Sequence, residues 1–162
     1  MSSRKFSMVS PAIWRPGRFL SLGDPKAQML YLYFLTCEHQ NSAGCFRLPD
    51  GYACADLGWL LPQYVDVRQK LIAGEMIAFD SETSTIYIER WFQHCAAMSD
   101  KHAIGIRKTI SAIESDVIRE KVEADFEASE TLRKGVQNPI DTPFSNGSSR
   151  LINSNFLSGR GR

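Results

Sequence analysis

The 162-residue chain has little of several things, and each shortage removes a class of function. Its four cysteines, Cys37, Cys45, Cys54 and Cys95, contain no Cys-x-x-Cys pair, so neither a disulfide framework nor a zinc knuckle is indicated. Only Cys37-x-His39 is spaced like half a knuckle, and Cys37, Cys45 and Cys54 fall at apolar-face positions where free cysteine acts as a small hydrophobe. A reducing, cytoplasmic setting is expected. No apolar run approaches the roughly 18 residues of a membrane span, and the basic N-terminal stretch lacks the apolar core of a secretory signal. There is no Gly-rich phosphate loop, no Gly-x-Ser-x-Gly elbow and no His-Glu-x-x-His helix. His94 beside Cys95 is sequence adjacency and not a nucleophile–base geometry. The chain is therefore expected to be non-enzymatic and to hold no cofactor or metal.

Net charge is short as well, at +1, and alone gives no reason to expect nucleic acid. Its distribution is more informative. Residues 1–20 carry Arg4, Lys5, Arg15 and Arg18 with no acid, whereas Glu114 to Glu130 carries seven acids against Arg119 and Lys121. The last stretch turns basic again at Arg133, Lys134, Arg150, Arg160 and Arg162. Such blocks predict separate surfaces, although a charge run is most simply a solvated face.

What the chain does have is an apolar core's worth of residues, dense from Ile13 to Ile118 and sparse after Phe126. An N-terminal arm precedes them, with Trp14 and Phe19 expected to pin it to the core. Asp24-Pro25 starts a helix, with an Asp cap and Pro where its missing N–H costs nothing. Ala27, Met29, Leu30, Leu32, Tyr33, Phe34 and Leu35 then make that helix apolar nearly all round, as far as Glu38–His39. Cys45-Phe46-Arg47-Leu48 reads as a short strand. Pro49-Asp50 opens a helix that Gly58 breaks, and Pro62 starts another, with Tyr64, Val67, Leu71 and Ile72 inward, that ends at Gly74. Met76–Asp80 and Thr85–Arg90 form a hairpin around Ser81-Glu82-Thr83-Ser84. Beyond Ser99, Ile106, Ile110, Ile113, Val117 and then Ile118, Val122 and Phe126 recur at helical spacing, with a restart at Ser115. From 135 the composition turns to Asn, Pro, Ser, Gly and Arg and predicts disorder.

The order strand, helix, turn, helix, hairpin is that of a winged helix-turn-helix. The expected fold is α+β: a flexible basic arm (1–11), a winged-helix domain (12–96), a C-terminal helical extension (97–134) and a disordered tail (135–162).

Leu30-Tyr31-Leu32-Tyr33, Asn41-Ser42-Ala43-Gly44-Cys45-Phe46-Arg47-Leu48-Pro49, Asp56-Leu57-Gly58-Trp59, Leu71-Ile72, Trp91-Phe92-Gln93-His94 and Lys101-His102-Ala103-Ile104-Gly105 occur in that order over roughly residues 12–115. In this the chain resembles the N-terminal winged-helix domain of phage and prophage replication proteins, the replisome-organiser or replication-initiator group. The resemblance implies a DNA-binding module of phage- or plasmid-type replication initiation, in the bacterial cytoplasm or nucleoid, without catalytic residues. Larger relatives carry a further C-terminal domain for assembly or helicase loading.

In a winged helix the second helix of the motif enters the major groove. Here that is Pro62 to Ala73, with Gln63, Asp66, Arg68, Gln69, Lys70 and Ala73 read as outward. Glutamine matches adenine, and Arg or Lys matches guanine or phosphate, so Gln63, Arg68, Gln69 and Lys70 are candidate base readers. The hairpin tip, with two acids and no base, is a poor phosphate clamp, so phosphate contacts are assigned to Arg15 and Arg18 of the arm and to Lys101, Arg107 and Lys108. The expected partner is double-stranded DNA, with other replication proteins or a second copy through the 114–130 helix as further candidates. Two alternatives use the same fold: a protein-interaction winged helix in a replication complex, and a transcriptional regulator.

Overall fold

The computed structural model describes Ser7, residues 9–15 and residues 17–137. Arg4, Lys5 and the tail from 138 onward, with Arg150, Arg160 and Arg162, lie outside the described residues. The fold is α+β, with seven α-helices and one three-stranded antiparallel sheet among the described residues.

A 3-10 turn (Pro11–Trp14) leads into α1 (Arg18–Ser21) and then α2 (Pro25–Thr36). Asp24 caps α2, its Oδ1 accepting the Lys26 N–H at 2.9 Å. The helix stops at Thr36, before the expected Glu38–His39, because Cys37 swings to an extended ψ of 158°. Of the arm's two aromatic anchors only Phe19 is buried; Trp14 is 60% exposed and rests edge-on against the Phe19 ring at 5.4 Å. The expectation of two anchors is corrected to one.

After β1 (Cys45–Arg47), α3 (Asp50–Leu57) and α4 (Leu61–Ala73) are joined by Gly58-Trp59-Leu60. Gly58 ends α3 at a left-handed φ of 65°, a conformation that a Cβ would penalise. The hairpin of β2 (Ile77–Asp80) and β3 (Thr85–Ile88) follows, then α5 (Trp91–His94), α6 (Asp100–Ser111) and α7 (Asp116–Gln137). The sheet order is β1–β3–β2, so β3 is central, with Phe46 and Phe79 both opposite Ile86.

All four residues of β3 are buried, because the sheet is covered on both faces. Ile86 and Ile88 join Leu30, Phe34, Tyr64, Val67 and Leu71 in one core, beneath α2, α3 and α4. Tyr87 points the other way into a second core with Phe92, Ile106, Ile110, Ile118, Val122 and Phe126. The period of two along β3 therefore sorts its side chains between two helical layers. Tyr87 also donates its hydroxyl to Asp125 at 2.6 Å, fastening α7 to the central strand.

The helical pattern after Ser99 is broken between α6 and α7, and Ser115 restarts it by accepting the Ile118 N–H at 3.3 Å. The break rotates Val117 out of the apolar stripe to 80% exposure, while Ile118 takes the buried place. α7 continues through Gln137, so the helix overruns the expected start of the tail at 135. The two helices run antiparallel and are tied at their far ends. Arg133 donates from Nε to Glu130 at 2.7 Å and from Nη2 to Asp100 at 2.6 Å. Among the described residues no helix is long and apolar enough to cross a membrane.

Two predictions concern this frame. Gly44 has φ of +65°, and a Cβ there would lie 2.3 Å from the Trp91 ring, whose Nε1 is itself held by the Ser42 carbonyl at 2.9 Å. Gly58 shares the left-handed conformation, but the space around it is open. Urea denaturation should show Gly44→Ala losing about 2–4 kcal/mol and Gly58→Ala only about 1–2 kcal/mol. Equal losses would mean that the Trp91 contact is irrelevant. The second concerns pH. Arg133 holds the Asp100 and Glu130 carboxyls below their ordinary range, so their contribution is full at neutral pH and lost as pH falls through the folded-state values. Glu130→Gln should be less stable than wild type at pH 7, with the gap closing below about pH 4; a gap that persists in acid would refute this.

Candidate nucleic-acid interface

The outer surface of α4 is built by its inner one. Tyr64, Val67 and Leu71 face the core, which leaves Gln63 partly exposed and Asp66, Gln69, Lys70 and Ala73 exposed.

Arg68 does not belong to that surface. It is 5% exposed, and its guanidinium lies 3.8 Å from the centroid of the Phe79 ring and 5.0 Å from that of Tyr64 while pairing with Asp50. The expected base reader is corrected to an internal brace: one side chain joins the start of α3, the middle of α4 and strand β2. Its long stem is compatible with either a buried or an exposed position, and its acid lies 18 residues upstream, so local periodicity cannot reveal the inward path. Burial also pushes the neighbouring Tyr64 phenol up to about 12, so it stays neutral.

Lys70 is exposed but engaged. Its Nζ lies 2.9 Å from Asp24 and 3.4 Å from Asp66, which raises its own pKa and lowers that of Asp24. Arg18 donates to the backbone carbonyls of Gly74 and Glu75, closing the C-terminal end of α4. Asp56 of α3 accepts the Tyr33 hydroxyl at 2.7 Å, tying α3 to α2. Arg15 remains exposed.

The other expected phosphate contacts lie elsewhere. Lys101, Arg107 and Lys108 are on α6, whose inner face packs on the second core, across the sheet from α4. Lys101 and Lys108 are exposed; Arg107 pairs with Glu127 at 2.9 Å and lies over the Phe126 ring. The structure thus brings Gln63, Gln69, Lys70 and Arg18 to one side of the molecule and separates them from the α6 cations.

Lys26 and Arg47 are exposed cations that the expected set did not include. Lys26 sits in the first turn of α2, beside the Asp24 that holds Lys70. Arg47 ends β1 opposite Thr85, at the base of the hairpin tip. Strand register was the signal for Arg47; nothing local marks Lys26. The tip itself is internally satisfied, with Asp80 accepting from the Glu82 N–H at 2.9 Å and the Thr83 hydroxyl at 2.8 Å.

Around the turn between α3 and α4, Leu60 is 77% and Leu61 52% exposed, with Tyr52 exposed on α3. Burial pushes the Cys45 thiol up to about 12, away from the thiolate a metal would need. Among the described residues no group of three or more His, Cys, Asp or Glu is placed to hold a metal ion. Comparison with protein-family models, with curated proteins and with solved structures gave no match.

The brace and the surface lysine should behave differently. Arg68→Ala should cost about 2–4 kcal/mol, since it opens a space between two rings and strands Asp50. Lys70→Ala, which removes an exposed pair, should cost less than about 1 kcal/mol. Thermal or urea unfolding reads both, and an Arg68→Ala protein of wild-type stability would overturn the brace.

Proposed function

We propose that the chain is a winged-helix module that binds double-stranded DNA through α4. The observation that carries this reading is the element order α2–β1–α3–α4–β2–β3 on a sheet ordered β1–β3–β2, with Asp66, Gln69, Lys70 and Ala73 on the outer side of α4 exposed among the described residues. In this reading α3 and α4 are the helix-turn-helix, and β2–β3 with its tip is the wing. Gln63 and Gln69 supply base-edge hydrogen bonds, since a glutamine amide both donates and accepts and so matches adenine. Lys70 and Lys26, near the C-terminal half of α4, and Arg15 of the arm supply the phosphate contacts. Arg68 contributes by holding α4 against α3 and the wing.

The α6 cations face away from a duplex seated on α4, and the acids Asp66 and Asp24 offset part of the charge beside Lys70. The salt dependence of binding should accordingly be modest, because it counts the phosphates neutralised. A role in replication initiation, of the phage or plasmid type, rests on the sequence resemblance; regulation of transcription would use the same surface. No step in this reading calls for catalysis or a cofactor.

A second reading is favoured by one observation. Leu60, Leu61 and Tyr52 are exposed beside Asp56 and Asp66, a combination suited to a protein partner rather than to phosphates.

Fluorescence anisotropy of labelled duplex pools across a salt series separates the two. DNA binding predicts that Gln63→Ala/Gln69→Ala weakens binding to the selected site with the salt slope unchanged, while Arg15→Ala reduces the slope by about one. No binding at low salt at about 100 µM protein, the weak end of non-specific affinities, would refute the DNA reading and favour the protein partner.

A further inference from the structure

The outer side of α4 offers a short list of side chains, and the base-reading groups it lacks are as informative as those it has. When a helix enters the major groove, its first residues reach the base edges. Leu60, the N-cap of α4, is 77% exposed, and Leu61, its first residue, is 52% exposed. Gln63 follows, partly exposed, and Asp66, Gln69, Lys70 and Ala73 continue along the same side.

Guanine is read by arginine or lysine, which donate to its O6 and N7. On α4 both candidates are engaged. Arg68 is buried against Phe79 and pairs with Asp50, and the Lys70 ammonium lies 2.9 Å from Asp24 and 3.4 Å from Asp66. Cytosine is read by a carboxylate that accepts from its N4 amino group. Asp66 is the single acid of α4, and Lys70 holds it. What is left matches the other base pair. A glutamine amide donates to adenine N7 and accepts from its N6 amino group, and an apolar side chain packs against the thymine methyl. Leu60, Leu61 and Gln63 lie within one helical turn and so address neighbouring base pairs. Gln69 stands six residues beyond Gln63, about 9 Å along the axis, and addresses a different one.

We infer, resting on the reading of α4 as the duplex-binding helix, that the preferred site is A·T-rich duplex DNA read in the major groove, with Gln63 and Gln69 on adenines and Leu60 and Leu61 on thymine methyls. Neither leucine packs on the core, so seating against methyl groups removes apolar surface that the fold itself leaves in water. The modest positive charge of this side fits as well, because few neutralised phosphates leave more of the affinity to base contacts. An A·T preference also arises where an arginine enters a narrow minor groove. The exposed Arg15 makes that the rival mechanism.

Fluorescence anisotropy of the full chain with labelled duplex pools of one length separates the two. The pools contain only A·T, only G·C or only inosine·cytosine pairs; the last shows the major-groove pattern of G·C without the guanine amino group in the minor groove. The A·T pool should bind at least about tenfold more tightly than both others. Gln63→Ala/Gln69→Ala should narrow that gap. Deoxyuridine in place of thymidine removes the methyls and keeps the pairing, and should weaken wild-type binding about fourfold per buried methyl. Leu60→Ser/Leu61→Ser, at exposed positions, should be indifferent to the same replacement. The deoxyuridine effect is read on the unaltered protein, so a misfolded variant cannot imitate it. Equal binding of the three pools, tighter binding of G·C, inosine·cytosine bound as tightly as A·T, or wild-type indifference to deoxyuridine would overturn the proposal and leave duplex binding standing. No binding of any pool at about 100 µM protein would refute duplex binding itself, and this site preference with it.

Discussion

Strand β3 lies between two apolar layers, and the rest of the molecule depends on that double burial. With Ile86 and Ile88 on one face and Tyr87 on the other, four residues connect a core made by α2, α3 and α4 to a core made by α6 and α7. A strand this short can hold the centre of a sheet only if both faces are covered and both edges are paired, and β1 and β2 provide the pairing. The close approach of Gly44 to Trp91, and the hydrogen bond from Tyr87 to Asp125, hold the two layers to the same strand. The layers are thus fixed relative to each other, and so are the surfaces they carry.

The second constraint is how the cations are used. Near α4, Arg68 is consumed by Asp50 and two aromatic rings, Lys70 is shared between Asp24 and Asp66, and Arg18 closes the end of the helix. These contacts give α4 a defined position at the expense of positive potential on its outer face. What remains outward is a hydrogen-bonding edge with modest charge, flanked by apolar side chains at the turn. Such a surface suits recognition that depends on shape and amide contacts more than on counterion release.

The two sides of the sheet differ in character. The α4 side presents amides and few free charges; the α6–α7 side presents exposed lysines and glutamates.

Local chemistry in the sequence determined most of the element order. Asp24-Pro25, Gly58, Pro62 and the run from Ser81 to Ser84 act within a few residues of themselves, through caps, left-handed turns and missing donors, so they are readable without a fold. The period of two along Ile86, Tyr87 and Ile88 likewise showed which side chains part company. Tertiary structure alone decided which side chains are available. Arg68 turned inward because Asp50 and Phe79 surround it, Trp14 stayed out because Phe19 occupies the core, and Val117 rotated outward where α6 and α7 separate. Lys70 met an acid 46 residues upstream. Helix starts and stops are set by neighbours along the chain, but a charge is free or spent according to neighbours in space.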